Sequence, residues 1–364
     1  LFLAVTTLTF PDRAFAQALK PVTDNEAPPY LGVWEPLWVG PGPTDEFGNW
    51  LNRKALWSVV GQTMTMQTRG VAVWPDYHHQ DYAKIGNYVI SNGWTQWVAA
   101  VPGRRLVIVW PLLLSDTTDG LDETLDQAAQ GAYNAHWTNL AKFLVSRNLG
   151  NSIMCMGHFN MDVPWKIQNA TDAANFIKAW QQIVTTMRAV PGAEKLQFDW
   201  FGFDEKTSYP LESVYPGDAY VDYVGAMLID RTFDKSIYPI PANATESEIL
   251  DRRKKAWASY CSAAENGLDA WKAIAQAHKK PLTIPMWSLF SDHYADGSLS
   301  TGGDNTYLVQ QMYNYIQDPG NNVYFSCYLD KFPGATKLSP SLQYPTAYPK
   351  SAELFHQLFG IPVK

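Results

Sequence analysis

The sequence predicts an α/β protein of the (β/α)8 TIM-barrel class, a single domain of strand-and-helix units. Three observations carry that expectation. Eight short apolar runs recur along the chain and are continuous rather than alternating in polarity, as parallel strands covered on both faces require. Stretches of helical period separate most of them. No Gly-x-Gly-x-x-Gly segment follows a first strand, which removes the main support for a doubly wound dinucleotide-binding sheet.

Taken in order, a Pro-rich lead from Lys20 to Tyr30 precedes a strand over Leu31–Glu35, a helix over Leu51–Thr65, a strand over Gly70–Trp74 and a helix over Tyr82–Asn92. A strand over Leu106–Leu113, a helix over Gln127–Arg147 and a strand over Ile153–Phe159 follow. The clearest helix runs from Asp172 to Arg188. Phe176, Ile177, Trp180, Ile183, Val184 and Met187 fall on one stripe there, Thr171 or Asp172 caps its start, and Pro191-Gly192 closes it. Strands at Leu196–Phe201 and Val221–Ile229, a long helix within Glu246–Ala277, a strand at Leu282–Trp287, a helix at Tyr307–Ile316, a strand at Val323–Tyr328 and a helix at Ser351–Leu358 complete the pattern.

Composition narrows the partners. With 28 basic against 35 acidic residues, the chain lacks the positive field that nucleic acid requires. Fifteen Trp, 19 Tyr and 16 Phe make 14% of the 364 residues, a surplus of flat faces that suits either a wide aromatic core or stacking on sugar rings. Leu1-Phe2-Leu3-Ala4-Val5 reads as the end of an apolar export signal, with Ala14-Phe15-Ala16 and Ala16-Gln17-Ala18 as cleavage sites. The expectation is a signal remnant over residues 1–18 and an exported, periplasmic or extracellular monomeric barrel over 19–364, with no membrane span. Cys155, Cys261 and Cys327 show no CxxC spacing and there is no HExxH, so free thiols and no metal or other cofactor are expected.

In a parallel barrel the functional residues sit at the C-terminal ends of the strands. Trp34, Trp74, Tyr77, His78, His158, Asn160, Asp162, Trp165, Trp200, Glu205, Asp230, Arg231, Met286, Trp287 and Asp292 all fall at or just beyond predicted strand ends. Aromatic faces beside carboxylate acceptors are what a polyhydroxylated ring needs, so a polysaccharide or oligosaccharide is the expected partner. The Arg252-Arg253-Lys254-Lys255 run reads as a solvated helix face, and the Asn-x-Thr triplets at Asn169 and Asn243 carry no assigned role.

Four segments give a resemblance: Met156-Gly157-His158-Phe159-Asn160-Met161-Asp162-Val163-Pro164-Trp165, Thr186-Met187-Arg188-Ala189-Val190-Pro191-Gly192-Ala193, Lys280-Pro281-Leu282-Thr283-Ile284-Pro285-Met286-Trp287, and, most specific, the run Tyr215-Pro216-Gly217-Asp218 through Gly225. They resemble glycoside hydrolase family 26, the β-mannanase-like group of retaining (β/α)8 glycosidases. The resemblance implies a Glu acid/base where this chain has His158 and a Glu nucleophile where it has Met286. It also implies a sugar-binding role for Asn160 and a stacking floor at Trp287.

Retaining hydrolysis needs two carboxyls about 5–5.5 Å apart, and a thioether cannot form the glycosyl ester. Three functions remain. A hydrolase with relocated groups would draw on His158, Asp162, Glu205, Asp230 and Asp292. A uronate lyase would work through His, Tyr and Arg groups. A catalytically inactive glycan binder would hold a chain on Trp34, Trp74, Trp165, Trp200 and Trp287.

Overall fold

The computed structural model describes residues 29–34, 95, 98–99, 105–110, 112–113, 123–156, 166–203, 209–289, 296–329 and 348–359. Its strands are β1 (Tyr30–Trp34), β2 (Val107–Trp110), β3 (Ile153–Met156), β4 (Gln197–Phe203), β5 (Tyr223–Ile229), β6 (Leu282–Ser288) and β7 (Val323–Leu329). They form one sheet in the order β1-β7-β6-β5-β4-β3-β2, and every neighbouring pair is parallel. From β2 to β7, strands adjacent in sequence are therefore adjacent in space, while β1 pairs with β7. β1 and β2 are the two edges of this described sheet, and the predicted strand Gly70–Trp74 lies outside the described residues, as do the predicted helices Leu51–Thr65 and Tyr82–Asn92.

The sheet is curled. Thr283 on β6 hydrogen-bonds Asp199 on β4 at 2.7 Å, across the intervening β5. That reach is possible because Gly225 of β5 has no side chain there: a Cβ would lie 2.7 Å from Asp199 Oδ1 and 2.6 Å from Phe201 Cβ. Strand residues then divide by the period of two. Val107, Val109, Ile153, Cys155, Phe201, Tyr223, Met227, Ile229, Met286, Phe325, Cys327 and Leu329 meet in an inner cluster on one face of the curled sheet, called the lumen below. Their alternates, among them Trp110, Trp200, Leu228, Trp287 and Tyr328, face the helices in an outer layer. Both faces are buried, which is why the runs read as continuous rather than alternating.

The helices are α1 (Leu125–Ala129), α2 (Asn134–Ser146), α3 (Ala170–Arg188), α4 (Glu246–Cys261), α5 (Leu268–Ala277), α6 (Thr306–Gln317) and α7 (Pro349–Phe359). α3 buries Phe176, Trp180, Ile183, Val184 and Met187 of the predicted stripe. Its cap is Asn169 rather than Thr171 or Asp172: the Asn169 side chain accepts from the Thr171 and Asp172 amides. Two predicted helices are each divided. Gly131, at φ 82°, separates α1 from α2, and Asn266, at φ 58°, followed by Gly267, separates α4 from α5. At Gly267 a Cβ would sit 2.2 Å from the Tyr260 carbonyl oxygen, so only glycine fits the crossing. α4 starts on a capping box between Thr245 and Glu248.

The three cysteines are free, as the sequence led us to expect, with Cys155 and Cys327 buried in the lumen. Among the described residues no helix is long and apolar enough to cross a membrane.

Candidate functional site

Four of the described site candidates, Asp230, Arg231, Met286 and Trp287, lie at the C-terminal ends of β5 and β6 or in the segments that follow them. Asp230 comes directly after β5 and is fully buried. Its Oδ1 accepts from Tyr238 OH at 3.2 Å and Tyr260 OH at 2.9 Å, and its Oδ2 from the Gly302 amide at 3.2 Å and Asn305 Nδ2 at 3.0 Å. Burial pushes this carboxyl above its ordinary range, against the pull of those donors and of the Arg253 guanidinium. With four donors occupying its lone-pair directions, Asp230 has no acceptor left for a substrate proton. The catalytic role expected of Asp230 is therefore corrected: it ties the β5 end to α4 and to the 300–305 turn.

The basic run on α4 belongs to the same construction. Arg252 Nη1 donates to the Ser236 and Ile237 carbonyls at 2.7 and 2.9 Å, and Arg253 Nη2 to the Gly302 and Asp304 carbonyls at 3.0 and 2.7 Å. Lys254 and Lys255 are exposed, as the solvated face predicted for the run, Lys255 in a pair with Asp251 at 2.8 Å. Tyr238, Tyr260, Asn305, Arg252 and Arg253 were not among the sequence candidates. Their partners are 8 to 75 residues away in sequence, and no local motif marks such contacts.

Arg231, expected as a substrate-binding group, places its guanidinium carbon 4.9 Å from the centroid of the Phe233 ring. Phe233 is 72% exposed. No local motif marks Phe233, which stands alone between Thr232 and Asp234.

On β6, Met286 and Trp287 point to opposite faces. Met286 lies in the lumen beside Met227, its register partner, and is nearly closed off at 4% exposure. Trp287 is fully buried in the outer layer, 4.9 Å from the Tyr328 ring and 5.8 Å from Phe355 of α7. Trp200 on β4 is buried in the same layer, 5.0 Å from Trp271 of α5 and 5.3 Å from Tyr215. The expected stacking roles of Trp200 and Trp287 are thus corrected: strand alternation turns both indoles away from the lumen and onto the helices. Of Trp34 only the backbone is described, at the end of β1. Trp74, Tyr77, His78, His158, Asn160, Asp162, Trp165, Glu205 and Asp292 lie outside the described residues.

Deeper in the lumen, Asp199 is a carboxyl the sequence reading did not single out. It is fully buried, and its Oδ2 accepts from Thr283 Oγ1 at 2.7 Å and from the Cys155 thiol at 3.3 Å. Oδ1 has no partner. Burial pushes its pKa up to about 7, offset in part by the Thr283 and Cys155 hydrogen bonds. The same burial pushes the Cys155 thiol up, so it stays protonated and donating. Among the described residues no group of three or more His, Cys, Asp or Glu side chains is arranged to hold a metal ion.

No protein-family model matches this sequence, and no curated protein matches it. Solved structures do. The GH26 endo-beta-1,4-mannanase catalytic domain of Bacillus sp. JAMB-750 superposes with a TM-score of 0.53 at 13% identity, covering 96% of this chain and 95% of that one. An endo-beta-1,4-mannanase double mutant of Cellulomonas fimi gives 0.54 at 13% identity over 91% and 69% of the two chains. The GH26C protein of a Muricauda species gives 0.50 at 11% identity over 94% and 91%. At such identities the likeness speaks for architecture, and in architecture this chain is similar to family 26 glycoside hydrolases, as the four sequence segments led us to expect.

Proposed function

We propose that this chain acts on a polysaccharide at the C-terminal mouth of its barrel, and that it does so without a carboxylate nucleophile on β6. The fold likeness over more than nine-tenths of the chain is the observation that supports this reading. Met286 stands where the family resemblance implies the nucleophile, and a thioether neither attacks the anomeric carbon nor activates water. The described strand ends offer no replacement, because Asp230 is saturated by its four donors. The chemistry therefore falls to His158, with Asp162, Glu205 and Asp292 as its partners. An inverting hydrolysis would use two carboxyls about 6.5–9.5 Å apart around a water. A β-elimination on a uronate would use a cation such as Arg231 to neutralise the sugar carboxylate, a base to take the C5 proton and an acid to protonate the leaving oxygen as the C4–O bond breaks.

A second reading, a glycan binder that cleaves nothing, is favoured by the two locked positions, Met286 and Asp230. One experiment separates these readings. Purified protein is incubated with mannans, glucans and uronate polymers, then assayed for new reducing ends, for unsaturated-uronate absorbance and for retention in polysaccharide gels. Reducing ends alone establish hydrolysis, reducing ends with absorbance establish elimination, and retention alone establishes the binder. Absence of all three across the panel overturns the proposal. His158→Ala abolishes turnover in either enzymatic case.

A further inference from the structure

We propose that Phe233, with Arg231 beside it, is a preorganised stacking subsite for one pyranose ring of the glycan at the wall of the barrel mouth. The inference rests on the polysaccharide reading above and deepens it. Phe233 lies four residues beyond the end of β5, on the face where a parallel barrel collects its ligand. It is one of two large apolar side chains exposed among the described residues, and at 72% the more open of them; Leu250 is at 38%.

An isolated exposed phenyl is unremarkable on a mobile loop, which can turn it inward. Here the backbone under it is fixed. The Asp230 carboxyl is held by four donors, and the Thr232 amide donates to the Ser300 carbonyl at 3.1 Å. The Asp234 amide donates to Thr232 Oγ1 at 3.1 Å, and the Ser236 amide to Asp234 Oδ1 at 2.8 Å. The Ile237 and Tyr238 amides donate to the Asp234 carbonyl at 3.0 and 3.2 Å, and Arg252 grips the carbonyls of Ser236 and Ile237. Lys235 pairs with Asp296, joining this segment to the one that follows β6. The chain thus holds an apolar ring in water through a rigid scaffold.

The ring's neighbour narrows the ligand. The Arg231 guanidinium, 4.9 Å from the ring centroid, orients the phenyl by a cation–π contact and leaves most of its surface open. With the guanidinium over the ring on one side, the exposed remainder of the phenyl matches a pyranose, whose axial C–H face stacks on aromatic rings.

Phe233→Ala, Phe233→Leu and Phe233→Trp, compared with the unmodified protein in gels containing each polysaccharide of the panel, test the proposal. Phe233 makes no backbone contribution that these variants remove, and unchanged thermal melting checks that they fold. For the polysaccharide that retains the unmodified protein, Ala and Leu weaken retention roughly three- to ten-fold, the loss expected for one stacking contact, while Trp matches or exceeds it. Retention of the Ala variant equal to the unmodified protein overturns the subsite, and equal retention by Leu overturns stacking as its basis. If the unmodified protein is neither retained by nor cleaves any polysaccharide of the panel, the functional reading itself falls and the subsite with it; if it cleaves one without retention, the variants are compared by KM on that polysaccharide, and an unchanged KM for Phe233→Ala overturns the subsite.

Discussion

Asp199→Asn isolates the energetic consequence of placing a carboxyl in the barrel lumen. Thr283 and the Cys155 thiol both donate to Oδ2, so a proton retained by this residue sits on Oδ1, the oxygen with no partner. In the unfolded chain the carboxyl ionises near 3.8, and in the folded chain at about 7. Between those values the folded protein holds a proton that the unfolded chain has released. Folding then takes up a proton, so this group's contribution to stability is greatest at low pH and falls as pH rises, by about 1.4 kcal/mol per pH unit, levelling off above the folded value. Over some three pH units the loss comes to ~4 kcal/mol, a large part of an ordinary domain's stability. Asparagine keeps the shape and an acceptor for Thr283 and Cys155 but carries no charge at any pH. Urea unfolding of both proteins from pH 4 to pH 8 is the assay, read as the stability difference between them. The other titrating groups are shared and cancel, so that difference should swing in the variant's favour by ~4 kcal/mol across the range and then flatten. A difference that stays constant with pH, or one that swings toward the unmodified protein, refutes the placement of a neutral carboxyl at Asp199.

Two further substitutions test the corrected roles of the mouth residues. Trp287→Ala empties a fully buried site between β6 and α7 and should lower stability by about 3–5 kcal/mol in the same urea assay; a loss below about 1 kcal/mol contradicts its burial on the Phe355 and Phe359 rings. Asp230→Asn turns one acceptor oxygen into a donor facing other donors, and should cost about 1–3 kcal/mol and speed hydrogen exchange at the Gly302 amide. Exchange at Gly302 unchanged in that variant would remove Asp230 as the anchor of the 300–305 turn.

The parallel strand-and-helix alternation was legible because burial on both faces writes itself into composition. Val107–Trp110 and Tyr223–Ile229 are apolar at nearly every position, and their alternation with the helices follows from chain order. Breaks within helices were harder. Gly131 was visible inside the predicted helix 127–147, yet a glycine in a helical pattern is often tolerated, and only its φ of 82° ended the element. Asn169, Thr171 and Asp172 are all capping residue types, and only the folded backbone shows that Asn169 accepts from the amides of the other two.

The candidate site divides along a different line. Position at a strand end is a one-dimensional property, so residues 230, 231, 286 and 287 were located correctly along the chain. Direction is not: Met286 and Trp287 are neighbours in sequence but face the lumen and the helices respectively, and a run buried on both sides contains no alternation that tells the two faces apart. Saturation is a tertiary property as well. Asp230 reads as a free carboxylate until Tyr238, Tyr260, Gly302 and Asn305, brought from as far as 75 residues away, close around it. Sequence alone thus determined the alternation of parallel strands and helices, since hydrophobic burial depends on composition and spacing. Tertiary structure decided which carboxyls and which aromatic faces remain available, because availability depends on donors and packing partners that only folding assembles.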